Sequence, residues 1–290
     1  MSWEGNNQKT IASPIEYAGL ALHSGKEVHI RCLPAEADQG VVFRRTDLVG
    51  KPEIKAEPAS VVSTKRCTCI GLPETGVEVY TIEHIMSALW SLGIGNIIIE
   101  IDNVETPVGD GSALPFVKLL QTAGVKVLNS PRKVWKVKQA IWVKERDMSM
   151  VILPFEGFKI SYTLDYEHPV IGTQFLEFDQ DDNSYFNEIA PARTFGFERE
   201  REVLHRRGLA LGGSADNAVL IGDQRTINPL RFPDEFVRHK ILDVIGDMAL
   251  NGFIAGHIIA IRSGHYLHVE LAKKIKEQID ARGELVYDVY

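Results

Sequence analysis

Three cysteines in 290 residues are too few for a disulfide framework. Cys67 and Cys69 flank Thr68, so they read as two structural thiols on one side of a strand, with Cys32 apart from them. A two-cysteine zinc knuckle would need further Cys or His partners close by, and none is there. No apolar run approaches the roughly 18 residues of a membrane-spanning helix. Met1 to Gln8 is polar and lacks the apolar core of a signal peptide, so the expected compartment is the cytoplasm. Positive charge is in deficit: 32 Lys and Arg against 39 Asp and Glu leave a formal net charge of −7. That argues against nucleic acid as a partner of a broad basic surface, while leaving room for a local basic pocket. Gly212-Gly213 invites a phosphate-loop reading, yet it lacks Walker spacing and a Lys-Ser/Thr ending. It reads instead as an unusual turn near a ligand.

What is present is ordinary for a soluble globular protein: 44% apolar and 24% charged residues. The length exceeds a usual single core and predicts two domains. Alternation predicts strands from Thr10 to Ala35 around a His23–Lys26 turn, and another over Val41–Arg45. Tyr80 to Gly93 reads as a helix capped by Thr81, with Glu83 and His84 in its first turn. A buried strand Asn96–Ile101 follows, then the tight loop Pro107–Ser112, and a helix from Ala113 to Thr122 capped by Ser112 and stopped by Gly124. Asn129-Ser130-Pro131 is the linker candidate. Strands then recur over Val134–Val143, Met148–Leu153 and Lys159–Asp165, followed by a helix from Glu235 to Leu250, a strand Gly256–Ile261, a Ser263–His265 loop and a final helix from about Tyr266 to Ile279. Gly95–Ile101 and Gly256–Ile261 match in pattern, and each lies between two helices. The expectation is an α+β fold from an internal duplication: a first domain 1–130 and a second 131–290, the latter carrying an insert around 171–230. The charged stretch Glu198–Arg207 in that insert reads as a solvated helix face.

The stretch Phe232–Gly252 carries the most chemistry. Asp234 is the expected N-cap, and Asn251-Gly252 the stop. Ile241, Val244, Ile245, Met248 and Ala249 line an apolar face. His239, Asp243 and Asp247 recur every four residues, which stacks them along one stripe. Burying two carboxylates is costly unless something cationic meets them. A metal ion on His239 and Asp243 would do so; a salt-bridged polar stripe would do so equally. If the two units pack face to face, Glu83 and His84 come opposite this stripe. His84, His239 and Asp243 then form a two-His, one-carboxylate set with a position left for water, the pattern of a catalytic zinc site.

Here the residues resemble a known family. Glu83-His84, Asp110-Gly111-Ser112, Ala192-Arg193-Thr194-Phe195-Gly196-Phe197, Gly208-Leu209, Leu211-Gly212-Gly213-Ser214, Val237-Arg238-His239-Lys240 with Asp243 and Asp247, and Ser263-Gly264-His265 occur in order as in the UDP-3-O-acyl-N-acetylglucosamine deacetylases. These perform the committed step of lipid A synthesis in Gram-negative bacteria. The resemblance implies two similar domains, each a sheet layer with two main helices, packed as a layered sandwich with zinc (Zn2+) between them. It implies that His84, His239 and Asp243 bind zinc and that Glu83 is the general base acting on zinc-held water. Thr194 would hydrogen-bond the oxyanion. His265, oriented by Asp247, would protonate the leaving amine, and Lys240 would add positive charge near the substrate. Asp165 and Tyr166 would contact uridine and Arg262 the diphosphate, with Phe195 and Gly213 also lining the substrate. The substrate is an acylated UDP-amino sugar, acetate is a product, and the acylated sugar implies brief contact with the inner membrane. A monomer is expected.

Each position also has a plainer reading. Glu83 could favour the helix N-terminus, Thr194 could be a turn residue, Lys240 a surface charge, and Asp247 a salt-bridge partner of Lys240 or Arg238. Two departures from the family pattern stand out. Glu198 and Arg201 are charged where apolar lining of an acyl passage is expected, and Arg66 is polar beside Cys67. Two other functions compete: a zinc amidohydrolase acting on a different acylated sugar or peptide, and a nucleotide-sugar or acyl-chain binding protein with a purely structural stripe.

Overall fold

Alternating apolar and polar residues build two five-strand arrays, each around a central strand with mixed neighbours. In the computed structural model, which describes residues 7–180, 184–282 and 286–287, the first array runs Ile15–Leu20, Glu27–Pro34, Ile97–Ile101, Val41–Arg45, Glu53–Lys55. Ile97–Ile101 pairs antiparallel with Glu27–Pro34 and parallel with Val41–Arg45. The second runs Ile141–Glu145, Met148–Leu153, Phe253–Ile261, Phe158–Asp165, Thr173–Asp179. Its central strand, Phe253–Ile261, is likewise antiparallel to one neighbour and parallel to the other. The two arrays therefore share strand order and pairing senses. Lys133–Lys136 adds to the start of Phe253–Ile261.

The described residues form five α-helices: α1 Glu83–Ser91, α2 Leu114–Ala123, α3 Arg201–Arg206, α4 Glu235–Met248 and α5 His265–Arg282. α1 and α4 pack on one another, with α2 beside α1 and α5 beside α4. Every residue of α1 is buried, as expected of a helix covered on all sides. One continuous apolar core draws on α1, α4 and both arrays. The architecture is the α+β fold that the pattern predicts, arranged as the layered sandwich that the resemblance implies. No helix among the described residues is long and apolar enough to cross a membrane.

Several local expectations are corrected. The stretch Asn129–Pro131 is not a free linker: it ends strand Val125–Pro131, which pairs with Asn7–Ile11. Thr81 does not cap α1; it sits at φ 60°, and its hydroxyl donates to Glu105. Asp234 occupies the N-cap position of α4 without a capping bond, because its carboxylate takes Arg238 at 2.6 Å. Ser112 precedes α2 by two residues, and its Oγ accepts from the Leu114 amide at 3.2 Å. The expected strand Val134–Val143 is two strands, Lys133–Lys136 and Ile141–Glu145. Only Cys69 of the Cys67–Cys69 stretch is in a strand, and both thiols are buried and unpaired. The final helix begins at His265 itself. The charged stretch is largely solvent-facing, as expected, and forms α3.

The α1–α4 crossing is close because one residue has no side chain. A Cβ at Gly246 would stand 2.1 Å from the Glu83 carbonyl oxygen. Backbone cannot yield as a flexible side chain can, so a methyl group there must push the helices apart. Overpacking of this kind costs about 1–3 kcal/mol. Gly246→Ala is expected to lower the unfolding free energy by that amount in a denaturant titration. An unchanged midpoint would mean that the crossing is not held this tightly.

Candidate metal centre

Helix α1 delivers Glu83 and His84 from its first turn, and α4 delivers His239, Asp243 and Asp247 from successive turns. His84, His239 and Asp243 converge, each offering a ligand atom within 4.8 Å of the others, and all three are buried. His239 Nε2 lies 3.4 Å and His84 Nε2 4.0 Å from Asp243 Oδ1. The two rings stand edge to face, 5.1 Å apart.

The donor set fits a metal ion. Burial and the neighbouring His239 push His84 down to about 3, and burial also lowers His239, so both imidazoles are neutral near pH 7. Burial pushes the Asp243 carboxyl up, but Lys240 and the surrounding histidines more than offset this and hold it below its ordinary range. Neutral imidazole and ionised carboxylate are the ligating forms. His239 Nδ1 donates to the Ala192 carbonyl at 3.0 Å, which leaves Nε2 its lone pair. Asp243 Oδ1 is buried with no hydrogen-bond partner. An orphaned carboxylate oxygen facing two imidazole nitrogens is an uncompensated cost unless a cation meets it.

A second cluster joins the first. Asp247 Oδ2 accepts from His265 Nδ1 at 2.8 Å and from His268 Nδ1 at 2.7 Å. Its Oδ1 accepts from the Thr68 hydroxyl. These three acidic and imidazole groups are also close enough for a metal, but their hydrogen bonds to one another already satisfy them. The Thr68 amide donates to Glu83 Oε2 at 3.1 Å, so one residue holds both carboxylates. Glu83 Oε1 faces His265 Nε2 at 3.9 Å. Burial, with Asp247 and Asp243 adding to it, pushes Glu83 up to about 8. Burial alone would lower His265, yet Asp247 reverses this and raises it to about 9.

Lys240 is not a surface charge: it is largely buried, and Nζ reaches Asp243 Oδ2 at 2.8 Å. Nor is Asp247 its partner or that of Arg238, which pairs with Asp234 and Glu188. Phe195 lies over this corner, 6.3 Å from the His239 ring and 5.6 Å from Lys240 Nζ. Its neighbour Thr194 is held by the backbone, donating to Gly111 and accepting from Val219, both at 2.8 Å. A buried ion pair anchors the loop. Glu235 at the start of α4 takes Arg193 Nε at 2.8 Å, the Arg193 amide at 3.0 Å and the Arg231 amide at 2.6 Å. That contact brings the Ala192 carbonyl onto His239.

The remaining substrate residues are placed less directly. Tyr166 meets Phe195 edge to face, with ring centres 6.3 Å apart, on the rim of the same corner. Arg262, at φ 54°, pairs with Asp165 at 3.3 Å and Asp147 at 3.2 Å, so its charge is engaged by carboxylates. Gly213 belongs to a turn whose Leu211 and Gly212 amides bond the His23 and Leu22 carbonyls, rather than to the metal cluster. Of the unexpected charges, Arg201 is exposed and pairs with Glu198 at 3.2 Å, and Arg66 pairs with Glu200 at 3.0 Å. Sequence reasoning missed Thr68 and His268. Thr68 was visible only as the spacer between two thiols, and its signal is a contact 179 residues away. His268 follows His265 by three residues on α5, a same-face spacing that could have drawn notice.

Comparison with known sequences agrees with the geometry. A profile of the family described as UDP-3-O-acyl N-acetylglycosamine deacetylase matches residues 8–277. A Colwellia psychrerythraea protein named UDP-3-O-acyl-N-acetylglucosamine deacetylase is 42% identical over 286 residues, covering 97% of this chain and 93% of its own. Proteins of the same name from Pseudoalteromonas atlantica and Acidithiobacillus ferrooxidans are each 44% identical, over 91% and 94% of this chain and 88% and 91% of their own. With a profile match that takes in both arrays and every helix of the metal cluster, this chain belongs to the UDP-3-O-acyl N-acetylglycosamine deacetylase family.

Proposed function

We propose that this protein is a zinc-dependent amidohydrolase that removes the N-acetyl group of a UDP-3-O-acyl-N-acetylglucosamine. The products are acetate and the UDP-3-O-acyl-glucosamine used in lipid A biosynthesis. The observation that carries the reading is the buried, unpaired Asp243 Oδ1 facing His84 and His239, within reach of a second, hydrogen-bonded set of acid–base groups. His84, His239 and Asp243 hold the metal. Zinc bound there supplies Lewis-acid chemistry, making water acidic near neutrality and drawing electron density from a carbonyl.

The chain's own residues do the rest. Glu83 takes a proton at Oε1, with Oε2 pinned by Thr68 so that the free oxygen keeps its aim. Burial makes the Glu83 carboxylate a stronger base than an exposed one, and the His265 imidazolium opposes burial and favours its ionised form. His265, kept as imidazolium by Asp247, donates a proton from Nε2 to the departing amine. Lys240 balances Asp243 and adds positive charge near the substrate, and Thr194 hydrogen-bonds the oxyanion. Asp165 and Tyr166 contact the uridine, Arg262 faces the diphosphate, and Phe195, which meets Tyr166 edge to face, lines the substrate with Gly213. The shared pairing scheme of the two arrays supports two copies of one unit, 1–130 and 131–290, with the cluster drawn from both. Three free thiols agree with a reducing compartment, the cytoplasm.

Metal analysis and an acetate-release assay test the reading together. His84→Ala and Asp243→Ala are each expected to lose stoichiometric metal. Glu83→Ala should keep the metal and lose at least about a hundredfold in kcat. Near-full turnover in Glu83→Ala would remove it as the base. Zinc-free protein with unchanged behaviour in His84→Ala would favour a binding protein, and release of acyl groups only from another amide would favour a different amidohydrolase.

The pH profile tests the acid. His265 must be protonated to donate, so its ionisation sets the alkaline limb of activity. Asp247→Asn removes the negative charge that raises it. The alkaline limb should then move toward acid by about one pH unit or more. A limb that stays in place would assign it to another group.

A further inference from the structure

Past the C-terminal ends of α1 and α4, away from the metal cluster, the molecule encloses a cavity of about 450 Å³. That lies within the range of about 300–1,000 Å³ typical of small-molecule sites. It is bounded by α1, the turn after α4, the final turns of α5 and the Arg132–Trp135 stretch. Much of its wall is apolar, including Leu89, Trp90, Trp135, Leu250 and Phe253.

The polar groups of the wall are unbalanced in one place. Lys55 pairs with Glu57, Lys133 with Asp38 and Lys276 with Asp280, each pair lining the cavity. Arg132 has no such carboxylate among the described residues. It is only 3% exposed, and its Nε and Nη1 have no hydrogen-bond partner. Its Nη2 makes one long contact, 3.4 Å, with the Gly93 carbonyl. The guanidinium lies over the Phe253 ring at 4.8 Å. Gly93 adopts φ 70°, and a Cβ there would stand 2.9 Å from Nη2, so the glycine leaves the guanidinium its room. In the same cavity wall, both side-chain polar atoms of Asn251 are buried and unpartnered.

A buried guanidinium with two unpartnered nitrogens is a costly feature in an apolar wall, since a buried charge loses its hydration. A carboxylate matches its fork with two parallel charge-assisted bonds. One cation without a counter-charge calls for one negative charge, which favours a monocarboxylate over a dianionic phosphate. The apolar wall calls for a hydrocarbon body. We propose that this cavity is a second ligand site, separate from the metal centre, that binds a medium-chain fatty carboxylate with its head on Arg132 and Asn251 and its chain against Leu89, Trp90 and Phe253.

Calorimetric titration of the metal-loaded full-length protein with decanoate, kept below its micellar concentration, tests this. Saturable binding is expected, accompanied by a change in tryptophan fluorescence from Trp90 and Trp135. Arg132→Met should weaken it at least tenfold while leaving acetate release unchanged. Decanol, which has the chain without the charge, should bind at least tenfold more weakly than decanoate. Leu89→Trp, which fills the cavity and leaves Arg132 in place, should block binding by itself and keeps the test decisive if Arg132→Met folds poorly. Binding of equal strength in the wild type and either folded variant would overturn the site and assign decanoate elsewhere. So would equal affinity for decanol, or no binding at all.

Discussion

Two carboxylates one turn apart inside α4 govern this structure. Asp243 and Asp247 are 1% and 0% exposed, and neither could stay ionised there alone. Around them stand a lysine, four imidazoles and a threonine hydroxyl, with the Glu83 carboxylate nearby. Lys240, His239 and His84 surround Asp243, while Thr68, His265 and His268 saturate Asp247. The two acids end up different because their partners differ. Asp247 has its hydrogen bonds filled by the protein, whereas Asp243 keeps one oxygen bare among imidazoles.

That difference is produced by distant parts of the chain meeting at one helix crossing. The absence of a side chain at Gly246 lets the Glu83 backbone settle against α4, which brings His84 to Asp243 and Glu83 to His265. The Arg193–Glu235 pair then fixes the loop whose Ala192 carbonyl orients His239. The functional corner thus rests on two rigid helices and one ion-paired loop, the kind of support that holds side chains to sub-ångström placement. The excess of acid over base in the composition is no guide to this corner, where cationic and imidazole groups outnumber carboxylates.

The sequence made some of this legible and hid the rest for identifiable reasons. The four-residue rhythm of His239, Asp243 and Asp247 survives because helical geometry is local. The two central strands, Ile97–Ile101 and Phe253–Ile261, were readable because a buried strand shows as an apolar run. Capping misled twice. Asp234 sits at the N-cap of α4 and Thr81 one residue before that of α1, but Arg238 and Glu105 claim their side chains. Asn129–Pro131 looked like a linker because its residues favour turns, yet pairing with Asn7–Ile11 draws it into a strand.

Local spacing alone therefore determined which residues could share a helix face: the α4 stripe, the Glu83-His84 first turn of α1, and the His265-led start of α5. Whether those faces meet was decided only by tertiary packing. A threonine between two cysteines becomes the tie between Glu83 and Asp247, and an arginine near a chain midpoint becomes a buried, half-satisfied charge in a cavity wall. Periodicity is written in the few residues of one turn. Desolvation and charge pairing depend on atoms more than a hundred positions away, and no window of sequence contains them.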